Sequence, residues 1–208
     1  MDLANFSNLQ LDAMREVGNI GAGNAATALS IMLARPVDMD VPKAELVSIY
    51  ELAEYYGDPL TMVSAVFVRS EGEFTCSLIF IQEEDESRKL VDLLIGQQMG
   101  GMDPASVPEE MRDSALTEVG NIILSSFLNA INVLIGGTHS ISVPGVAHDM
   151  LGSILDVVAS IFGQSGEHAL IVDTSLKVEN VEEGVSGKVV MLPDPGSLEI
   201  LLGKLQVL

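Results

Sequence analysis

The sequence has one cysteine, no tryptophan and only ten basic residues in a chain of 208. Cys76 alone can form neither an intrachain disulfide nor a cysteine metal cluster, which excludes disulfide-rich and zinc-ribbon classes of fold. The N-terminal residues lack the basic start and apolar core of a signal peptide. We therefore expect a cytoplasmic protein.

Basic residues are scarce relative to acidic ones. Thirty Asp and Glu against ten Lys and Arg give a net charge of −20. A field of this sign repels nucleic-acid phosphates and anionic lipids, so we expect no nucleic-acid partner and no membrane insertion. The acidity would suit a partner with a positive patch, or it would reflect a high-salt cytoplasm, and the two interpretations are compatible.

The longest stretch without a formal charge, residues 119–148, could be mistaken for a membrane span. Three asparagines and two serines interrupt it, and Gly136-Gly137 ends its helical part. These polar residues favour a buried helix. With 48% hydrophobic residues, the chain has enough apolar surface for an ordered core.

The sequence contains an internal repeat. The string EVGNI occurs at 16–20 and again at 118–122, an offset of 102 residues, and Pro42 meets Pro144 at the same offset. We therefore predict a single domain, 1–208, made of two homologous halves at about 1–104 and 105–208.

Hydrophobic periodicity predicts a similar order of elements in each half. In the first half we expect helices at 8–20, 23–34, 50–56 and 84–98, and strands at 37–41, 44–49, 61–70 and 73–82. In the second we expect helices at 108–120, 122–135, 146–163 and 196–207, and strands at 139–143, 168–178 and 184–192. Ser70-Glu71-Gly72 is expected to turn between strands, and residues 99–110 form a junction rich in glycine and proline.

These elements predict an α/β (α+β) fold with pseudo-two-fold symmetry. Its four longer strands are expected to form one largely antiparallel sheet, joined by hairpins and covered by helices.

A polar triplet lies on the first predicted helix. Asp12, Glu16 and Asn19 share one face, opposite the apolar side that contains Leu11 and Met14. A single triplet of this kind would usually be no more than a solvated surface. Its repetition with the same spacing and the same flanking residues favours a functional site.

The second copy of the triplet is Ser114, Glu118 and Asn121. Glu and Asn are weak nucleophiles, and no His or Lys lies beside them in the sequence to activate one. A carboxylate can bind an ammonium group, and an amide can both donate to and accept from a water molecule. The pair therefore suits orienting a water for attack on a phosphoryl group that another protein supplies.

The spacing Asp or Ser, three residues, Glu, two residues, Asn, twenty-two residues, Pro resembles the signature of the CheC/CheX/FliY phosphatase family. The sequence meets the signature twice, once with each triplet, and completes it with Pro42 and Pro144. The resemblance extends over nearly the whole chain. It implies a CheC-like fold and hydrolysis of the aspartyl phosphate of the chemotaxis response regulator CheY.

The resemblance also implies roles for the matching residues. Glu16 and Glu118 would bind the regulator's lysine, while Asn19 and Asn121 would enter its active site and position the attacking water. Asp12 and Ser114 would be secondary docking residues, and Pro42 and Pro144 would shape a turn after the helices. The protein would need no cofactor of its own, because the regulator would supply Mg²⁺.

The family further implies binding of the deamidase CheD through the helix after the second motif proline. Asp149 is the candidate contact, although an acidic residue at a helix N-terminus explains it equally well. The alternative function is a non-enzymatic interaction module resembling the flagellar switch protein FliM, or one that mainly binds CheD. The resemblance also implies a monomer, because the duplication already supplies the two-fold symmetry. Asp12 in one site and Ser114 in the other predict unequal sites.

Other patterns predict no function. Residues 21–26 match the dinucleotide fingerprint G-x-G-x-x-A, but a helix rather than a strand precedes them, so small residues at a helix contact are the better interpretation. His139, His148 and His168 lack metal-ligand spacing and are expected to be surface or packing residues.

Overall fold

The computed structural model describes residues 7–98, 103, 106–162, 168–181 and 184–207. The predicted junction at 99–110 therefore lies partly outside the described residues. All other predicted elements fall largely within them.

The first half contains helices α1 (Asn8–Leu33), α2 (Leu52–Tyr56) and α3 (Glu84–Gln98), and strands β1 (Val37–Ser48), β2 (Met62–Gly72) and β3 (Cys76–Glu83). The predicted break in the first helix is wrong, because α1 continues through Gly21 and Gly23. Glycine weakens a helix by about 1 kcal/mol, but the close packing of Gly21 on Phe127 of the second half offsets this local cost. The two short strands predicted after α1 are likewise one strand.

The second half contains helices α4 (Glu109–Ile135), α5 (Leu151–Phe162) and α6 (Ser197–Lys204), and strands β4 (His139–Ile141), β5 (Gly145–Met150), β6 (His168–Val178) and β7 (Val185–Pro193). The two helices predicted before residue 136 are one. The helix predicted at 146–163 begins only at Leu151, because residues 145–150 pair with β2 as a strand. The turn predicted at 70–72 belongs to β2, where these residues pair with β4.

Seven strands form one antiparallel sheet in the order β1-β6-β7-β3-β2-β4, and β5 also pairs with β2. The predicted mixed α/β fold with a large antiparallel sheet is confirmed. Strands of one half pair with strands of the other: β1 of the first half pairs with β6 of the second, and β4 and β5 of the second half pair with β2 of the first. At its centre β3 pairs with β7, with Ile79 opposite Val190.

Alternating side chains bury both faces of the sheet. On β3, Leu78 and Phe80 belong to the core beneath α1, α3, α4 and α6. Ile79 and Ile81 point the other way, into a second core beneath α2 and α5. The protein therefore has three layers, and its two longest helices lie together on one face.

Helix α4 is long and apolar enough to cross a membrane by length and composition alone. However, 61% of its most apolar window is buried inside the protein. This burial agrees with the expectation of a core helix.

Candidate functional site

Helix α1 presents Glu16 and Asn19 to solvent. The helix begins at a capping box, in which the Ser7 hydroxyl accepts a hydrogen bond from Gln10 N and the Gln10 side chain accepts one from Ser7 N. Met14 and Val17 face the core, and Glu16 and Asn19 lie on the exposed side. The pair is thus fixed to a rigid helix whose other side is buried.

Helix α4 presents the second pair, with one difference. Glu118 is exposed, whereas Asn121 is only half-exposed. The Ser125 hydroxyl donates a hydrogen bond of 3.3 Å to Asn121 Oδ1. This bond restrains the Asn121 amide and leaves its NH₂ group as the donor for a visiting molecule.

The third residues of the triplets also differ. Asp12 forms an exposed ion pair of 3.3 Å with Arg15, one turn along α1. Ser114 instead donates 2.8 Å to the carbonyl of Glu110 in its own helix. The first site therefore carries an additional charged pair that the second lacks. An exposed pair of this kind contributes little to stability, but it changes the local field.

Glycines of the EVGNI strings bring both helices close to the sheet. A Cβ on Gly120 would lie 2.6 Å from Val66 Cβ, and one on Gly18 would lie 3.2 Å from Val41 Cγ1. The sequence analysis assigned no role to these glycines. Their occurrence at the same place in both copies was the signal that could have identified them.

The two helices run antiparallel across each other. Gly21 of α1 contacts Phe127 of α4, whereas Met32, farther along α1, lines a cleft with Ala115, nearer the start of α4. The contact at Gly21 supports the interpretation of the small residues at 21–26 as a helix contact. It places the crossing near residues 23 and 125.

The crossing sets the spacing of the two sites. At about 1.5 Å per residue, Asn19 and Asn121 are about 12 Å apart along the helix axes, and Glu16 and Glu118 about 21 Å. Both pairs lie on the outer side of the helix pair, facing away from the sheet. One broad face of the molecule therefore carries both.

A cleft of about 220 Å³ lies beside the second pair. Its lining is mainly apolar, with Met32, Leu94 and Ile95 on one side and Ser114 and Glu118 at its edge. Next to Met32, Ile31 is 79% exposed, and Val133, at the equivalent position of α4, is also 79% exposed. The antiparallel register places each of these two residues level, along the helix axes, with the Glu and Asn pair of the other helix.

The two motif prolines lie in equivalent irregularities, and neither shapes the turn that was predicted. Pro42 is inside β1, where the pairing with β6 shifts register between Asp40 and Lys43. Pro144 lies in the gap between β4 and β5, both of which pair with β2. Proline lacks the N–H that a regular strand would need, so each marks an interruption of pairing.

Asp149 does not lie on a helix. It is the fifth residue of β5, opposite Val63 of β2, and its side chain accepts a hydrogen bond of 2.7 Å from Met150 N. The predicted explanation by a helix N-terminus therefore does not apply as stated. Asp149 remains exposed, two residues before α5 begins.

Two histidines, His139 and His168, are half-buried strand residues. His148 does more than pack: its ring contacts Ser64 Oγ at 2.9 Å and Asp113 Oδ1 at 3.0 Å. Among the described residues, no three His, Cys, Asp or Glu side chains are grouped to hold a metal ion.

Comparison with known proteins identifies relatives of the whole chain. A CheC-like family model matches residues 9–46 and 111–148, two segments offset by 102 residues. The CheY-P phosphatase CheC of Bacillus subtilis (strain 168) is 38% identical over 192 residues, covering 92% of this chain and 91% of the relative.

Solved structures share the fold. Thermotoga maritima FliY superposes with a TM-score of 0.76 at 19% identity, covering 97% of this chain and 98% of that one. The FliM middle domain from H. pylori gives a TM-score of 0.65 at 13% identity, covering 96% and 99%. At these identities the likeness is one of fold.

Proposed function

The chain belongs to the CheC-like family, and we propose that it is an enzyme that dephosphorylates the aspartyl phosphate of the chemotaxis response regulator CheY. The relative of 38% identity, which this chain matches over nearly its full length, is a CheY-P phosphatase. We place the activity in the cytoplasm, where response regulators act.

One observation carries the proposed mechanism: an exposed Glu is followed by an Asn three residues later on each of two equivalent helices. The three-residue spacing puts the carboxylate and the amide on the same side of a helix, about one turn apart. A receiver domain approaching this face would meet both groups of a pair together. The pair forms half of an active site, and the regulator provides the other half.

Glu16 and Glu118 would each form an ion pair with a lysine ammonium of the regulator and draw it away from the phosphate. Asn19 and Asn121 would each form a hydrogen bond with a water molecule and hold it in line with the phosphorus. A bond from the water oxygen to phosphorus forms while the bond from phosphorus to the aspartate oxygen breaks. Phosphate and a free carboxylate are released, and the protons of the water go to phosphate and solvent.

Charge stabilisation of the phosphoryl group would come from the Mg²⁺ that the regulator supplies. The chain's own contribution is to position the water and to bind the lysine. Its net charge of −20 favours approach of a positive patch and opposes binding of free phosphate. Product release would benefit from the same field.

The test is the decay rate of phosphorylated CheY with and without the protein. We expect Asn19→Ala together with Asn121→Ala to abolish the acceleration, because no amide remains to hold the water. Asn24→Ala with Asn129→Ala is a matched control, since both asparagines are exposed on the same two helices. If the double variant at 19 and 121 kept the activity of the control, the proposed mechanism would be wrong.

The single variants measure each site separately. We propose that the sites are unequal for two reasons. Ser125 restrains Asn121 in the second site, and the first site carries the ion pair of Asp12 and Arg15, which has no counterpart at Ser114. Equal losses from Asn19→Ala and Asn121→Ala would contradict this inequality without affecting the proposed reaction.

A second partner is proposed on separate grounds. Asp149 is exposed at the start of the layer that contains α5, on the opposite side of the sheet from the two helix pairs. CheD could dock there while CheY occupies the helix face, with a monomer as the binding unit. Asp149→Lys should weaken CheD binding, whereas Asp38→Lys, at an exposed position of β1 at the opposite edge of the sheet, serves as the control. Equal affinity of both variants for CheD would remove Asp149 from the interface.

The alternative, a non-enzymatic module like FliM, shares the fold. The two exposed Glu and Asn pairs favour the enzyme, because a scaffold has no requirement for them. A protein that bound phosphorylated CheY without changing its decay would support the alternative.

A further inference from the structure

Arg15 lies beside the first Glu and Asn pair, at a position where the second half has no charge. Its Nη2 is 3.3 Å from Asp12 Oδ1, and the two side chains are 53% and 65% exposed. At the offset of 102 residues, Thr117 stands in place of Arg15. Ser114, the counterpart of Asp12, donates to the carbonyl of Glu110 in its own helix. The first site therefore carries a cation where the second carries a neutral hydroxyl.

The ion pair of Arg15 differs from the other ion pairs of the protein. Basic residues are scarce, and the structure places nearly all of those that it describes in ion pairs. Arg112, near the second site, is bound to Asp92 of α3 and is only 13% exposed. Arg15 is paired on the same exposed helix that carries the first site. An exposed pair of this kind contributes little free energy, so it can open when a better partner for the guanidinium arrives.

The helix places Arg15 next to both groups of the first pair. Asn19 follows Arg15 by four residues, so the two side chains leave the helix on the same side, about 6 Å apart along its axis. Side chains on a helix lean towards its N-terminus, which tilts the Asn19 amide over the turn that contains Arg15 and Glu16. A phosphoryl group that Asn19 meets through a water molecule would therefore lie within reach of an extended arginine side chain.

The proposed reaction creates a need for a cation at this place. Glu16 draws the regulator's lysine away from the phosphate, so the phosphoryl oxygens lose a positive neighbour. The planar fork of an arginine matches phosphate oxygens and forms charge-assisted hydrogen bonds to two of them. An arginine that contacts the transferring phosphoryl group accelerates GTP hydrolysis by about 10³–10⁵ in other enzymes. Arg15 is placed to replace the positive charge that Glu16 removes.

We propose that Arg15 is a catalytic residue of the first site, which leaves Asp12 and binds the phosphoryl oxygens of the docked regulator while Asn19 holds the attacking water. This inference rests on the proposed phosphatase function. The step needs no further reactant: the bond from water to phosphorus forms, the bond from phosphorus to the aspartate oxygen breaks, and the guanidinium keeps its protons. Water hydrates the released Asp12 carboxylate, which is already exposed.

The test compares two single-site proteins. Asn121→Ala retains only the first site, and Asn19→Ala retains only the second. In the first-site protein, Arg15→Gln should lower the kcat for phosphorylated CheY about tenfold and change the KM less than about twofold, because the lost contact is strongest in the transition state. The second-site protein should show no such fall in kcat. An unchanged kcat of the first-site protein would overturn the proposal.

A matched variant controls for the loss of charge. Arg35 is exposed just after the C-terminal end of α1, and Arg35→Gln makes the same change of charge away from the first site. It should leave the kcat of the first-site protein unchanged. An equal fall in kcat from Arg35→Gln and Arg15→Gln would show an effect of net charge alone, and the proposal would be wrong.

Further measurements separate catalysis from docking and from stability. Arg15→Lys keeps the charge without the fork, so its kcat should lie between those of the arginine and glutamine proteins. Arg15→Gln should leave the Tm within about 2 °C, since the side chain is exposed and glutamine is a good helix former. If Arg15→Gln raised the KM and left kcat unchanged, Arg15 would be a docking residue, and the catalytic role would be wrong.

The second site allows the reciprocal experiment. Thr117 is half-exposed, so Thr117→Arg together with Ser114→Asp can copy the ion pair into α4. In the second-site protein this double substitution should raise kcat severalfold, because it adds the missing cation beside the second pair. Ser114→Asp alone is the control, since it adds the anion without the cation. A double substitution with the kcat of this control would overturn the proposal.

Failure of the proposed function would give a different result. A wild-type protein that did not accelerate the decay of phosphorylated CheY would refute the phosphatase function and the role of Arg15 with it. A wild-type protein that accelerated the decay, with a first-site kcat insensitive to Arg15→Gln, would refute only the role of Arg15.

Discussion

Replacing Gly120 by alanine should destabilise the protein, although alanine is the better helix former. A Cβ at this position would lie 2.6 Å from Val66 Cβ and 2.7 Å from each of its two methyl carbons. Val66 is 1% exposed and belongs to the core under α4, so it has no free space to enter. Helix and strand must separate to accept the methyl group.

The magnitude follows from two opposed effects. Overpacking a tight core costs about 1–3 kcal/mol, and contact with three atoms of a branched side chain puts Gly120→Ala in the upper part of that range. The better helix propensity of alanine returns about 1 kcal/mol. We therefore expect a net loss of about 1–2 kcal/mol.

Gly18→Ala provides a matched comparison in the other copy of the motif. Its nearest contact would be 3.2 Å, to Val41 Cγ1, which small shifts can accommodate. The propensity gain should then dominate, giving a change between zero and about 1 kcal/mol in favour of folding. The difference between the variants is about 2 kcal/mol, or about 4–8 °C in Tm for a chain of this size.

Thermal unfolding by circular dichroism and urea denaturation would measure this difference. Gly120→Ala should also reduce the activity of the second site in the Asn19→Ala background. The added methyl group pushes α4 away from the sheet, and Glu118 moves with the helix. A Gly120→Ala protein that melted at or above Gly18→Ala would refute the packing argument.

Two further outcomes are expected. Ile31 and Val133 are both 79% exposed, so replacing either by aspartate should leave the Tm within about 2 °C. Each substitution should nevertheless raise the KM for phosphorylated CheY about threefold or more, because it puts a charge on the exposed apolar surface of the helix face. Ile161→Asp on α5, on the other face of the sheet, should leave the KM unchanged. Cys76 is fully buried, and burial raises the pKa of its thiol, so iodoacetamide should modify it only through unfolding, at a rate that rises with urea; fast labelling of the native protein would contradict this.

The helical position and the exposure of the Glu and Asn pairs could be predicted from the sequence because their geometry is local. Glu16 and Asn19 are one turn apart on a helix, and exposure follows from the apolar residues on the opposite side. The repeat then predicted the second pair by the same reasoning. The sheet was predicted as antiparallel because β2 and β3, and β6 and β7, follow each other directly as alternating strands.

The errors arose where contacts distant in the sequence decide the structure. Residues 145–150 have an ambiguous pattern, and pairing with β2, about eighty residues earlier, makes them a strand. Gly21 led us to predict a break in the first helix, but the structure has a continuous helix there, because Gly21 packs closely against Phe127 of the other half. His148 gave no signal, because Ser64, Ser87 and Asp113 come from three other elements.

The exchange of strands leads to a prediction about the halves as separate chains. Residues 1–104 retain β1 without β6, and residues 105–208 retain β4 and β5 without β2. Each half would also expose the inner side of a long helix and an edge of the central β3 and β7 pair. We therefore expect neither half to show cooperative unfolding by itself, although a mixture of the two should recover it. A cooperative transition in an isolated half at the Tm of the full chain would mean that the halves are independent domains, and the proposed single domain would be wrong.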